Sequence, residues 1–398
     1  SVVAVSCTEM GFPVVIAFRS RTLPKPWLSE EVPVKARLLR LRLPRQHAPA
    51  TRINWTQLWR LLLPLLVVGG LFLYAIWPWI PGTRGPAVRT VVLYGFSILG
   101  EVMNEAVFPA FQAEWQVRTG EQVEFVDAFA GSGTITNQMI LGVPAEVAIL
   151  SLELDALRLV DAGVLAGRTW HGLPHGGVLN RTPFIILVRP GNPRAIRDFA
   201  DLARPGVGVV HPDPLTSGGA QWALLAEYHS VRMVGGTDGE ALLQLRGVWQ
   251  NVVAQASSAR AVRTQFESGF GDALITYEQE VLSDRWRGRL DGEIVYPEST
   301  IFSEHIVVVL DRNIAPEQRD LVDAFVAFLW SETAQRLFVD YGFRSVDEAL
   351  NTGNPDFGVI PHPFTVADLG GWEQAKAQIV DGIWRDQVLP SIGPGGTP

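Results

Sequence analysis

Four short stretches place serine beside glycine or alanine where an apolar run gives way to helical spacing. They are GFSIL (95–99), GSGT (131–134), SGGA (217–220) and ASSARA (256–261). Serine and glycine are poor helix formers, so their position at a helix start needs a reason. One reason is structural, with serine capping the helix and glycine easing a tight turn. The other is chemical. The first N–H groups of a helix have no intrahelical acceptor and lie at the positive end of its dipole, so small side chains there leave bare amides open to an anion. One such turn carries little weight. Four at equivalent places, each after a strand, favour several helix starts converging on one anion that no Lys or Arg side chain holds.

Catalytic constellations are thin by comparison. There is no G-x-S-x-G elbow, and GSGT lacks the G-x-x-x-x-G-K-[ST] spacing of a phosphate loop. His171 and His175 lie four apart, but Pro174 between them argues against a helical metal pair. His211, His305 and His362 are scattered and read as loop or core residues, and Asp213 between two prolines reads as a turn former. Glu278 and Glu280 would share one face of a strand, where solvation or a hinge salt bridge accounts for them. The single Cys7 excludes an internal disulfide and any cysteine-based metal site. Neither an enzyme nor a cofactor is expected.

Strand and helix patterns alternate from residue 88 onward, which implies parallel βαβ units and an α/β class. Strands are expected at 88–96, 121–130 and 145–150, each followed by a helix, and again at 182–193, 207–214, 248–256 and 271–282. A run at 305–310 resembles the one at 184–188. Two similar strands around a middle block imply two crossings between lobes. Lobe 1 would comprise 88–182 plus 304–392, lobe 2 would comprise 183–303, and the cleft between them would close on a ligand. Ligands of open parallel sheets sit beyond the C-terminal strand ends, where all four serine-bearing turns fall.

The charge of −8 is uneven. Residues 1–60 carry ten Lys/Arg against three Glu, a net +7, which leaves −15 for the remainder. An acidic body argues against nucleic acid as a partner. Residues 61–80, LLLPLLVVGGLFLYAIWPWI, hold no charge, and twenty residues of helix span roughly 30 Å, the thickness of a bilayer core. With arginines on the N-terminal side and tryptophans at both ends, this run is expected to be an uncleaved single-pass transmembrane anchor in the cell membrane, the alternative being a cleaved signal peptide. Residues 1–60 would then be a cytoplasmic basic segment, and the lobes would be extracytoplasmic. The chain begins without Met, and residues 1–50, with no sustained period, are expected to be disordered or to be upstream sequence outside the natural protein. Cys7 lies too far upstream of the apolar run to be a lipoprotein cysteine.

On GSG (131–133), LVRPGNP (187–193), PDPLTSGGAQW (212–222), GFGDALITYE (269–278) and GGWEQA (370–375), the chain resembles the sulfate- and thiosulfate-binding proteins of ABC importers over about residues 90–390. The resemblance implies a two-lobe, type II-like periplasmic-binding-protein fold. It also implies capture of a tetrahedral oxyanion, sulfate or thiosulfate, for delivery to permease subunits. Carried over residue by residue, it points to Ser132, Gly133, Ser217, Gly218 and Gly219, and to an amide at Ser258–Ala259 or Ala259–Arg260. Two positions depart from that family. Ser97 stands where it has Asp, and Tyr277 stands where it has a cleft Trp. Molybdate-binding clamshells use a serine and a tyrosine hydroxyl at those places, so a molybdate or tungstate binder is the alternative. A tethered anion sensor of the same fold is another.

Overall fold

The computed structural model describes residues 55–76 and 88–392, and the chain divides into two units after Ile76. The first is one helix, α1 (Trp55–Ile76), with Pro64 inside it. Along it, Leu65, Val68 and Phe72 are all more than half exposed. Residues 77–80 of the expected 61–80 span lie outside the described residues, as do 1–54 with Cys7. What is described of the span, 61–76, rises about 24 Å against roughly 30 Å of bilayer core. Among the described residues no helix is long and apolar enough to cross a membrane.

In the second unit, β1 (Arg89–Phe96), β2 (Val123–Ala130) and β3 (Val147–Leu150) pair in parallel in the order β2-β1-β3. A long strand, β4 (Val178–Val188), leads to a second parallel set: β5 (Val209–Pro212), β6 (Val252–Ala256) and β7 (Ala273–Tyr277), ordered β7-β5-β6. The short β8 (Glu293–Val295) pairs with β4, and the second long strand, β9 (Ser299–Val309), returns antiparallel to both β3 and β4.

The two halves meet along β4. Up to Pro183 this strand pairs with β9, and from Phe184 onward with β7, where Phe184 faces Tyr277. The change of partner falls at a residue without an N–H to donate, which is where a sheet tolerates proline. Side chains bind the strands on either side of it. The Ser303 hydroxyl donates to the Thr182 carbonyl (2.7 Å) and the Thr300 hydroxyl to the Phe184 carbonyl (2.9 Å).

Helices cover the sheets through their apolar stripes. After β1 the chain runs through the short helix Gly100–Val102 and a wider turn (Met103–Val107) into α2 (Phe108–Thr119), which ends on left-handed Gly120. Phe108 stacks on Phe125 at 4.0 Å, and Phe111 meets Phe325 edge-on at 5.1 Å. Each such buried ring contributes about 1.5–3 kcal/mol. The other helices relevant to the site are α3 (Ser132–Ile140), α4 (Glu153–Asp161), α5 (Gly218–Met233), α6 (Asp238–Gln250), α7 (Ala259–Glu267) and α8 (Glu278–Trp286). The C-terminal helix (Trp372–Ala375, continuing through Lys376–Val388) was expected with lobe 1. It packs on α5 and α6, with Trp372 edge-on to Trp222 at 4.3 Å and Trp384 to Trp249 at 5.1 Å.

Two expected strands are corrected. The run 248–256 becomes strand only from Val252. Residues 238–250 are helical because Thr237 and Glu240 form a capping box and Ala241, Leu245, Val248 and Trp249 make one buried face. The run 271–282 ends as strand at Tyr277, and Glu278 and Glu280 fall in the first turn of α8, where carboxylates suit the helix dipole. They do not alternate along a strand.

Candidate anion site at three helix starts

Helices α3, α5 and α7 begin just beyond the C-terminal ends of β2, β5 and β6. Their first turns are built alike. In α3 the first N–H with a partner is that of Thr134, to the Gly131 carbonyl at 2.8 Å. In α5 it is Ala220, to the Ser217 carbonyl at 3.1 Å, and in α7 it is Ala261, to the Ser258 hydroxyl at 3.2 Å. Each helix therefore presents two leading N–H groups for which it has no acceptor: Ser132 and Gly133, Gly218 and Gly219, Ala259 and Arg260.

The glycines bring these turns into contact. A methyl group on Gly131 would lie 2.5 Å from the Ser257 carbonyl oxygen and 2.7 Å from that of Thr216. On Gly133 it would lie 3.2 Å from the Thr216 oxygen, on Gly218 2.8 Å from the Ser151 hydroxyl, and on Gly219 3.0 Å from the Tyr277 hydroxyl. The start of α3, from the first parallel set, thus abuts the turns before α5 and α7, from the second.

The serine hydroxyls divide by role. Ser217 is buried at the N-cap position of α5, yet its side chain makes no capping bond. Ser258 does cap, accepting from Ala261. The Ser132 hydroxyl donates to Asp155 (2.6 Å) and accepts the Ser151 N–H (3.1 Å), so only its backbone faces outward from the helix start. Burial pushes the Asp155 carboxyl up from the usual range, while the Ser132 hydroxyl and Arg158 pull it back down. Ser97 opens the turn Ser97–Leu99 after β1, with Phe96 and not Ser97 at the N-cap position, and that turn packs near α7. Tyr277 is 1% exposed, and burial holds its hydroxyl above the ordinary range, so it stays protonated.

Nearby arginines are committed to carboxylates. Arg260 Nε lies 3.0 Å from fully buried Glu280, without the geometry of a hydrogen bond. Arg263 pairs with Asp284 at 2.8 Å and Glu267 at 3.2 Å. Glu278 takes both arms of Arg344 at 2.8 and 2.9 Å. A cavity of about 320 Å³ lined by Arg181, Phe302 and Arg344 lies apart from the helix starts, and its arginines already pair with Glu304 and Glu278.

Among the remaining histidines, His211 bonds to Glu227 and His305 to Asn180, both fully buried, and His171 pairs with Glu153. No group of three His, Cys, Asp or Glu among the described residues could hold a metal ion.

Two residues at the site were not singled out from the sequence. Ser151, just past β3, bonds its hydroxyl to Tyr277 (2.9 Å), its carbonyl to Trp222 Nε1 (2.7 Å) and its N–H to Ser132. Its place at a fifth strand–helix junction was the available signal. Thr216 supplies the carbonyl against Gly131 and Gly133, and its own hydroxyl is buried without a partner among the described residues.

Residues 98–344 match the family model for bacterial extracellular solute-binding proteins. A sulfate-binding protein of Synechococcus elongatus is 32% identical over 317 residues, covering 78% of this chain and 89% of that one. A thiosulfate-binding protein of Pseudomonas aeruginosa is 29% identical, covering 77% and 94%. Among solved structures, the sulfate-binding protein SubI from Mycobacterium tuberculosis aligns with a TM-score of 0.66 and 30% identity, covering 73% of this chain and 99% of that one.

Proposed function

The chain belongs to the bacterial extracellular solute-binding proteins, among the sulfate- and thiosulfate-binding members, and from that premise we propose that it captures sulfate or thiosulfate outside the cytoplasm and delivers it to an ABC importer. The observation that carries this reading is the meeting of three helix starts, each with two N–H groups lacking a helix acceptor, while Arg263 beside them pairs with Asp284 and Glu267. Amide dipoles suit a fully ionised anion because every contact they offer is a donor. Ser132, Gly133, Ser217, Gly218, Gly219 and Ala259 would hold the anion, with Ser258 acting as the cap that shapes its turn. Calorimetric titration with sulfate, thiosulfate, molybdate and tungstate tests the assignment. A molybdate preference would move it to the alternative, which draws only on the hydroxyls of Ser97 and Tyr277.

In this reading the hinge at Pro183 divides lobe 1 (88–182 plus 304–371) from lobe 2 (183–303, with the C-terminal helix packed on it), and the anion sits between them. The exposed apolar side chains of α1 are the observation in favour of a membrane anchor over 61–80. Protease applied to intact cells would degrade the lobes if they lie outside. Survival until the membrane is broken would overturn that placement.

A further inference from the structure

Helix α8 starts at the hinge and runs away from it. At its start the Gln279 N–H donates to the Thr182 hydroxyl beside Pro183 (3.1 Å), and the Glu278 carboxylate takes both arms of Arg344. Its last residue, Trp286, lies about 12 Å farther along the axis. There the partners change. Asp284 pairs with Arg263 of α7 at 2.8 Å, while the side chains just beyond the helix reach into lobe 1. The Arg287 guanidinium bonds to Glu101 and to Glu105 (2.7 Å) and lies over the Tyr341 ring at 5.5 Å. Tyr341 in turn donates its hydroxyl to Glu105 at 3.2 Å, and Arg289 bridges Asp284 and Glu101 at 3.1 and 3.2 Å.

We propose that Arg287 is a positioning residue for anion capture: with Glu101 and Glu105 it latches the far end of α8 to lobe 1 and so keeps the start of α3 against the starts of α5 and α7. This rests on the two-lobe oxyanion reading above. A rotation about the hinge moves groups near its axis little and distant groups most. The contacts at the α8 start therefore persist when the lobes part, and those of Arg287 break. None of its partners belongs to the three helix starts, so it acts on the anion only through closure. The link to the site runs through α7, which offers the Ala259 and Arg260 amides at one end of its first turns and holds α8 through Arg263 and Asp284. A free protein that spends less time closed binds its ligand more weakly in proportion to the closed fraction lost. The Arg287 and Glu101 side chains are only 26% and 11% exposed, so solvent screens the latch less than an ordinary surface pair.

The test is a double-mutant cycle on the full chain, with Arg287→Gln, Glu105→Gln and both together, read by calorimetric titration with sulfate and by thermal unfolding without it. Each single variant is expected to lose roughly threefold to tenfold in sulfate affinity, and the double variant clearly less than the product of the two losses. Unchanged affinity in all three, with any coupling confined to the unfolding midpoint, overturns the latch and leaves a static brace. Losses that simply multiply also overturn it. Both results leave the oxyanion reading standing. A wild type that binds no sulfate sinks that reading, and the latch is then judged by spin labels on Leu141→Cys of lobe 1 and Leu243→Cys of lobe 2, with Cys7→Ser. Longer label distances on adding Arg287→Gln support it, and equal distances overturn it.

Discussion

Gly131 and Thr216 lie back to back across the two halves of the sheet, with only 2.7 Å between a methyl position on the glycine and the threonine carbonyl oxygen. The glycine backbone, at φ −56 and ψ 136, is one that alanine adopts freely. Gly131→Ala therefore introduces no local strain and acts only where the halves meet, against the carbonyls of Thr216 and Ser257. We expect sulfate affinity to fall by tenfold or more, following an overpacking cost of about 1–3 kcal/mol. Thermal unfolding without sulfate should shift by no more than that cost allows, roughly 4 °C or less per kcal/mol. Calorimetry and a thermal scan check this. Wild-type affinity in the variant would contradict the convergence of the helix starts.

Ser217 and Ser258 occupy equivalent N-cap positions and should behave oppositely. Ser258 caps the Ala261 N–H, so Ser258→Ala is expected to cost about 0.5–2 kcal/mol of stability. Ser217 makes no capping bond, so Ser217→Ala should leave stability nearly unchanged. Its hydroxyl bond to a charged ligand is worth about 1.5–3 kcal/mol, one to two decades in sulfate affinity. Chemical denaturation paired with calorimetry separates the two effects. The reverse pattern would exchange their roles.

Glu101 joins the turn after β1 to α8 and the residues beyond it. It accepts from Ser283 at 2.9 Å and Arg289 at 3.2 Å, and it also pairs with Arg287. Burial pushes its carboxyl up, but the Ser283 hydroxyl, Arg289 and Arg287 together outweigh that and hold it below the usual range. The unfolded chain therefore takes up this proton first as pH falls. Glu101's contribution should be complete above the ordinary glutamate value of about 4.3 and be lost as pH falls through its depressed folded value. Glu101→Gln should lower the unfolding midpoint at neutral pH and flatten that acid limb. Parallel pH profiles for variant and wild type would remove Glu101 from the contact between the halves.

What could be read from the sequence was local. Gly131, Ser132, Ser217 and Gly218 announce themselves because small residues at a strand–helix junction have few other uses, and the βαβ alternation follows from the spacing of apolar residues. Long-range contacts were hidden. Ser151 looks like any residue after a strand until Tyr277, 126 positions away, reaches its hydroxyl. The boundary of β7 was missed because Glu278 and Glu280 look solvated in a list of residues, whereas Arg344 and Arg260 draw them inside. Helix α6 did carry its signal, the Thr237–Glu240 capping box, but the apolar run from Val248 into Val253 blurred its end.

Neutral dipoles, and no cationic side chain, are expected to hold a doubly charged anion. Calorimetric titration of the full chain with sulfate at low and at high NaCl tests it most directly. Dipoles at helix starts in a closed cleft are little screened, so the affinity should weaken only slightly as the Debye length shrinks from about 30 Å at 0.01 M to about 10 Å at 0.1 M. A steep fall in affinity with salt would mean that a Lys or Arg side chain carries the site, and no sulfate heat from a folded protein would contradict the account altogether.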